Sequence, residues 1–187
     1  KDIKHGNGYP AGGDPIASAL ALHQILTKNN KNVDIVSPQF SLPHNLAFLK
    51  NSKIIKNNII ATREAEISIN IKEVGISDFS YKIDGDDLRI YLTPKTGLFN
   101  FKNIKTNSGK LQYDLIIVLD TPELLLLGDV YTKNKFLFDS VPIINIDHSS
   151  QNENFGEINV VDIKNSSATE IVWHLIEASK NLDENIL

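Results

Sequence analysis

The sequence contains no cysteine, which excludes disulfides, thiolate metal sites and a cysteine nucleophile and fits a cytoplasmic protein. Methionine is also absent and the chain begins at Lys1, so we expect the natural protein to extend beyond it. No apolar run approaches the roughly 20 residues of a membrane-spanning helix, and no secretory signal pattern is present. We therefore expect a cytoplasmic protein with no membrane partner.

An excess of positive charge is also lacking, because the formal net charge is −4. Proteins dedicated to duplex nucleic acid usually present a strongly basic surface, so we expect no duplex partner. A small anionic ligand held at one local site remains compatible with this charge. The 41% hydrophobic and 22% charged residues are typical of a globular protein, and 187 residues suit one α/β domain.

Short β-rich runs alternate with amphipathic helical runs, a pattern typical of a parallel sheet flanked by helices. A helix is predicted from Asp14 to Thr27, with Asp14 as its N-cap and Pro15 at its first position. Residues 114–120 and 141–148 are continuous apolar runs that end in Asp120 and in Asp147-His148. Such runs predict buried parallel strands. Shorter strands are predicted at 33–37 and 53–55, and a final helix is predicted to open near Ser166.

Residues 66–112 have a different character, because apolar and polar residues alternate in 67–71 and 88–92. Asp84-Gly85 between them is a good tight-turn pair. We predict an antiparallel β insertion at 66–112 within a single α/β domain that spans 1–187. Two interpretations of the insertion stay open: a solvated hairpin extension, or a substrate lid or partner-docking arm.

Three polar positions fall where predicted strands end or helices begin: Asp14, Asp120 and the Asp147-His148 pair. Ligands of parallel sheets bind beyond the carboxyl ends of the strands. Carboxylates and an imidazole that meet there suit a divalent ion such as Mn²⁺. Each residue also has a simpler interpretation: Asp14 as a helix cap, Asp120 as a turn former and His148 as a surface histidine. Gly12 and Gly13, before the first helix, are a candidate phosphate cradle.

Three segments carry a resemblance to a known family. Residues 144–162 contain Asp147-His148 followed by Asn152-x-x-Phe155-Gly156, and a helix opening follows with Ser166 to Glu170. Residues 113–120 form a strand that ends in one Asp, and 13–22 read Gly-Asp-Pro-Ile-Ala-Ser-Ala-Leu-Ala-Leu. In this order the segments resemble the motifs of DHH-family phosphoesterases. The resemblance implies a mostly parallel five-stranded sheet flanked by helices.

The resemblance also implies roles for individual residues. Asp14, Asp120 and His148 would hold one metal ion, and Asp147 and His148 would serve catalysis. Beside them, Gly12, Gly13 and Ser149 are the predicted phosphate contacts. The chain departs from the family pattern at three positions, where Gly8, Gly12 and Ser149 replace two metal ligands and the second signature histidine. We therefore expect at most one ion, Mn²⁺ or Mg²⁺. The family's fourth motif and its substrate-binding domain would lie after Leu187.

The implied activity is metal-dependent hydrolysis of phosphodiester or phosphomonoester bonds in short oligonucleotides or nucleoside phosphates. With the eroded site we expect weak or no hydrolysis. The expected partner is a small phosphate-containing ligand or a short single-stranded oligonucleotide, and a homodimer is left open. The alternative is a non-catalytic module that binds a phospho-ligand or a protein. Its docking surface would be the insertion, near Tyr91, Leu98, Phe99 and Phe101.

Overall fold

The computed structural model describes residues 12–42, 44–49 and 51–179. The chain forms two units, Lys1–Ala61 with Gln112–Leu187, and Thr62–Leu111. No helix in the described residues is long and apolar enough to cross a membrane. The helices are α1 (Gly13–Lys28), α2 (Asp129–Thr132), α3 (Lys135–Phe138) and α4 (Ala168–Ala178), and the strands are β1 (Arg63–Ile69), β2 (Asp78–Asp84), β3 (Asp87–Thr93), β4 (Ile104–Leu111), β5 (Ile116–Leu119), β6 (Ile143–Asp147) and β7 (Ile158–Val161).

The first unit contains a three-stranded parallel sheet of order β5-β6-β7. Ile116 pairs with Ile143, and Ile144 pairs with Ile158. Strands β5 and β6 are apolar and largely buried, as parallel strands covered on both faces are, whereas β7 at the edge of the sheet is partly exposed. Gly156 lies against this sheet. A Cβ there would come within 2.7 Å of the Ile158 carbonyl oxygen and 2.9 Å of the Ile143 carbonyl oxygen, so only glycine fits.

The prediction of a five-stranded parallel sheet is wrong for the described residues. Residues 33–37 make only one isolated parallel bridge, Val36 to Lys56. The predicted strand at 53–55 contains instead a short 3-10 helix, Ser52–Ile54. Two or three apolar residues form a strand only where a neighbouring strand supplies hydrogen bonds along their length. A single bridge does not do this.

One of two buried clusters in the first unit lies where α1 and α4 meet the sheet, and the other contains Ile16, Ile35 and Ile55. Ile25, Ile146, Ile171, Val172 and Ile176 form one buried cluster. The three residues from α4 follow helical spacing and therefore share one face. Full burial of each such side chain contributes roughly 1.5–3 kcal/mol.

Helix α4 begins close to the predicted Ser166, with a variant of the capping box in which Glu170 bonds the residue before the N-cap. The Ser167 hydroxyl accepts a hydrogen bond from the Glu170 N–H at 3.1 Å, and the Glu170 carboxylate accepts one from the Ser166 N–H at 2.7 Å. The Ser166 N–H and the Ser166 hydroxyl, which donates to the same carboxylate at 2.9 Å, hold the pKa of the Glu170 carboxyl below its usual range. The start of α4 is thus specified locally, two residues after Ser166.

The second unit consists of two antiparallel pairs, β1 with β4 and β2 with β3. The two residues between β2 and β3 are Gly85 and Asp86, one position after the predicted Asp84-Gly85 pair, and Gly85 has φ +63°. Nearly every residue of these strands is exposed. The predicted insertion, 66–112, falls largely within this unit. The single-domain extent of 1–187 stays a prediction.

Candidate metal centre

Three side chains meet at the carboxyl edge of the parallel sheet. Asp120 follows β5, His148 follows β6, and Asp14 lies in the first turn of α1. His148 Nε2 lies 3.5 Å from Asp120 Oδ1 and 4.0 Å from Asp14 Oδ2. One ligand atom from each residue lies within 4.8 Å of the other two. All three side chains are partly buried, so they can contact a ligand while the protein holds them in place.

Asp14 is anchored by the start of α4, which lies 154 residues away in sequence. Its Oδ2 accepts a hydrogen bond from the Ala168 N–H at 2.7 Å, and its Oδ1 accepts one from the Thr169 N–H at 2.7 Å. The Thr169 hydroxyl also donates to Asp14 Oδ1. These contacts orient both carboxylate oxygens and satisfy free amides of α4.

The predicted role of Asp14 as the N-cap of its own helix is therefore wrong. The N-cap position of α1 is Gly12, and no side chain caps this helix. Asp14 instead caps α4, because the two helix starts lie side by side at the same edge of the sheet. Local sequence could not reveal this contact.

Asp120 has a left-handed backbone, with φ +49°. Asp tolerates this region better than most residues, and the turn directs its side chain away from the end of β5. Burial raises the pKa of its carboxyl to about 6, and the negative charges of Asp14 and Asp147 add to the rise, while His148 opposes it. A carboxylate that is expensive to ionise beside other carboxylates gains from a bound cation.

Asp147 is fully buried, with 0% of its surface exposed. Its Oδ1 accepts hydrogen bonds from the backbone N–H groups of His148 and Ser149, at 2.7 and 3.2 Å. Its Oδ2 accepts one from Asn152 Nδ2 at 2.6 Å. This geometry favours a positioning role, in which Asp147 holds the turn that carries His148. Its catalytic role stays a prediction.

Sequence reasoning missed the polar residues that support the centre. Asn152 Oδ1 accepts a hydrogen bond from Asn145 Nδ2 at 2.7 Å, and Asn152 Nδ2 also donates to the Thr121 carbonyl at 3.3 Å. Asn145 is 0% exposed, and its own Oδ1 has no partner among the described residues. The sequence feature that indicates this support is Asn145, which lies inside an apolar strand run, because buried amide side chains are usually hydrogen-bonded.

The predicted phosphate-binding residues are divided between two elements. Gly12 and Gly13 open α1, and a Cβ at Gly12 would meet nothing within 4 Å, so open space surrounds it. Ser149 lies beside His148, where its hydroxyl accepts a hydrogen bond from the Gln151 N–H at 3.1 Å. Their phosphate contacts stay a prediction.

The three-residue group fits one small divalent ion. Two ligands about 2.1 Å from a common ion lie roughly 3 Å apart at right angles and about 4.2 Å apart when opposite, so the observed separations need only small side-chain adjustments. Two carboxylate oxygens and one imidazole nitrogen are donors that several divalent ions accept. The group could therefore hold a metal ion, whose identity the geometry does not select.

Comparison with solved structures shows a similarity of fold. The chain resembles the crystal structure of an exopolyphosphatase-related protein from Bacteroides fragilis, with a TM-score of 0.55 and 18% identity. The match covers 93% of this chain and 37% of that one, so this chain spans little more than a third of that protein's length. No protein-family model and no curated protein matches the chain. At this identity the likeness shows a shared fold alone.

Proposed function

We propose that this chain is a DHH-type phosphoesterase-like domain that binds one divalent ion and a phosphate-containing ligand, with weak or no hydrolysis. The ligand class is a nucleoside phosphate or a short single-stranded oligonucleotide. The observation that carries the proposal is the meeting of Asp14, Asp120 and His148 at one sheet edge. The three lie on separate elements, and these are the positions that the family resemblance assigns to metal ligands.

The surroundings of Asp14 and Asp120 support their proposed roles as metal ligands. Asp14 presents carboxylate oxygens already oriented by Ala168 and Thr169. Asp120 carries the carboxyl whose pKa is raised, so its negative charge is stabilised when a cation arrives. A bound divalent ion would supply charge neutralisation for a phosphoryl group and would polarise its P–O bonds.

The reduced ligand set limits the activity. The positions that would hold a second ion are Gly8 and Gly12, which offer no side-chain donor. Two-metal phosphoesterases stabilise both the attacking and the leaving oxygen, and one ion serves only one of these roles well. We therefore expect the site to bind its ligand even though hydrolysis is weak or absent.

The first test is a calorimetric Mn²⁺ titration of the chain beside its Asp120→Asn and His148→Ala variants. The matched control is Asp139→Asn, which changes an exposed carboxylate at the end of α3. We expect about one ion per chain, at least tenfold weaker binding in the two site variants, and no change in the control. Binding that is absent, or equal in all four proteins, would refute the metal centre.

A second experiment addresses the substrate. The Mn²⁺-loaded chain is incubated with a dinucleotide, a nucleoside bisphosphate and inorganic polyphosphate, the last because the structural neighbour is described as exopolyphosphatase-related. Release of phosphate or mononucleotide that disappears in His148→Ala supports residual catalysis. Ligand binding without release supports the non-catalytic form.

A second candidate function, a protein-interaction module, is favoured by the β2–β3 pair. The register places Phe79 opposite Leu92, Tyr81 opposite Ile90, and Ile83 opposite Leu88, so one face of the pair is entirely apolar. Phe79, Tyr81, Ile83 and Leu88 are each more than half exposed. A sedimentation comparison of the chain with its Ile83→Lys variant tests whether this face drives self-association. Identical monomer profiles would leave homodimerisation through this face without support.

A further inference from the structure

The carboxylate of Asp14 is hydrogen-bonded unevenly at its two oxygens. Its Oδ1 accepts hydrogen bonds from both the N–H and the hydroxyl of Thr169, whereas its Oδ2 accepts one, from the Ala168 N–H. An ionised carboxylate offers about four lone-pair sites, two on each oxygen. Both sites of Oδ1 are therefore occupied, and one site of Oδ2 is left. Oδ2 is also the oxygen that lies 4.0 Å from His148 Nε2, in the candidate metal centre.

The Thr169 hydroxyl has three neighbouring oxygens but only one proton to donate. Its Oγ1 contacts Asp14 Oδ1, and it lies 3.0 Å from the Asp14 carbonyl oxygen and 2.9 Å from the Ser18 hydroxyl. The ionised carboxylate is the strongest acceptor of the three, because charge-assisted hydrogen bonds are roughly twice as strong as neutral ones. The Thr169 proton therefore goes to Asp14 Oδ1.

Ser18, in the second turn of α1, keeps that proton on the carboxylate. Ser18 is 0% exposed, and its hydroxyl donates to the Asp14 carbonyl oxygen at 2.9 Å. Because Ser18 supplies a donor to this carbonyl, the Thr169 hydroxyl is not drawn away to it. Buried hydroxyl groups in proteins are usually hydrogen-bonded, so we expect this contact to persist. Residues of α1 and α4 thus fix together which oxygen of Asp14 stays free.

We infer that Thr169 is a positioning residue that restricts Asp14 to binding a metal ion through Oδ2 alone, an inference that rests on the proposed metal centre. Ca²⁺ takes six to eight oxygen ligands at about 2.3–2.6 Å and often uses both oxygens of a carboxylate, whereas smaller ions such as Mg²⁺ take six at about 2.0–2.1 Å. The separations among the three ligand atoms leave the identity of the ion open. Thr169 adds a selection against large ions that need both oxygens of Asp14.

The test compares Mn²⁺ and Ca²⁺ affinities in the unaltered chain and in Thr169→Val. Calorimetry measures Mn²⁺ binding, and Ca²⁺ binding is measured by its displacement of Mn²⁺. Valine keeps the N–H and the shape of Thr169 but removes the hydroxyl, so one lone-pair site of Asp14 Oδ1 becomes free. We expect Mn²⁺ affinity to fall roughly tenfold, as when other residues that support a metal ligand are lost. Ca²⁺ affinity should stay within about twofold, because the freed oxygen offsets the looser carboxylate. The ratio of the two affinities should therefore fall about fivefold or more.

Two further variants separate positioning from general support of the fold. Thr169→Ser retains the hydroxyl and should keep the affinity ratio within about twofold of the original. Thr106→Val makes the same change as Thr169→Val at an exposed residue of β4 and should alter neither affinity. Equal losses of Mn²⁺ and Ca²⁺ affinity in Thr169→Val would mean that Thr169 only supports the fold, which overturns the inference. A ratio that Thr169→Ser does not restore overturns it as well.

Two measurements keep the inference testable if Thr169→Val does not fold. Ser18→Ala removes the donor to the Asp14 carbonyl, so the Thr169 proton is shared between two acceptors, and the affinity ratio should fall about twofold or more. The unaltered chain should bind Ca²⁺ at least tenfold more weakly than Mn²⁺, and equal affinities overturn the inference without any variant.

The failure of this inference is distinguishable from the failure of the proposed function. If the unaltered chain binds no Mn²⁺, both the metal centre and the positioning role of Thr169 are refuted. If it binds Mn²⁺ and the affinity ratio does not respond to Thr169→Val, the metal centre stands and only the positioning role is refuted.

Discussion

The two units of this chain use β-structure in opposite ways. In the parallel sheet, Ile143, Ile146 and Val118 are each less than 8% exposed. In the second unit, Ile83, Tyr81 and Phe79 are apolar strand residues that are more than half exposed. Parallel strands are stable only when covered, whereas an antiparallel pair can form with one face open. The candidate metal centre lies on the covered sheet, because buried strands hold polar side chains at fixed positions beyond their ends.

The largest expected effect breaks the covered sheet. Ile146→Ala leaves a cavity between β6 and the α1–α4 cluster, and we expect a loss of about 2–5 kcal/mol in the free energy of unfolding. Ile83→Ala, at a side chain 70% exposed, should change it by less than about 0.5 kcal/mol. Urea denaturation of both variants measures the difference. Equal losses would contradict the contrast between the two units.

The next effect concerns the support of the metal centre. Asp147→Ala removes the acceptor of three hydrogen bonds and leaves Asn152 and two backbone amides without it. We expect a loss of about 2–3 kcal/mol in stability and a roughly 10–100-fold loss of Mn²⁺ affinity, because His148 is no longer held. Calorimetry and urea denaturation check the two quantities. Unchanged Mn²⁺ affinity in a folded variant would remove the positioning role of Asp147.

A smaller effect follows from the raised pKa of Asp120. Its carboxyl has a pKa of about 6 in the folded protein and 3.8 as an ordinary Asp. The folded state therefore binds the proton more tightly, so protonation of Asp120 stabilises the fold. This stabilisation is complete below about pH 4 and is lost as the pH rises to about 6. Asp120 is 27% exposed, so with solvent screening we expect a change of roughly 1–2 kcal/mol. The measurement is the difference between the chain and Asp120→Asn, by urea denaturation in EDTA at pH 4, 5, 6 and 7. A constant difference would show that Asp120 titrates normally.

The smallest effect should stay within the second unit. Gly85→Ala places a Cβ on a residue at φ +63°, which costs about 1 kcal/mol. Gly85→Asn should cost less, because Asn tolerates this conformation. Amide exchange should rise in β2 and β3 and stay constant in β5 and β6. Faster exchange in both regions would show that the two units unfold together.

Sequence patterns predicted those helices, strands and turns whose formation depends on neighbouring residues. The apolar runs at 114–120 and 141–148 contain β5 and β6, and the β2–β3 turn lies at Gly85-Asp86, one residue after the predicted pair. The short runs at 33–37 and 53–55 do not form the predicted strands, because apolar residues alone do not provide a pairing partner. For the site, residue types at strand ends indicated Asp14, Asp120 and His148, but not the supporting roles of Asn152 and Thr169.

The sequence by itself indicated that α1, α4, β5, β6 and the β2–β3 hairpin form and roughly where they lie, because hydrophobic period, the Ser167 cap of α4 and a turn glycine act over a few neighbouring positions. Only the tertiary structure decided that Asp14 caps α4 and that His148 lies 3.5 Å from Asp120. These contacts join residues that are far apart in the chain. Their distances depend on how helices pack against the sheet, and no local pattern encodes that packing.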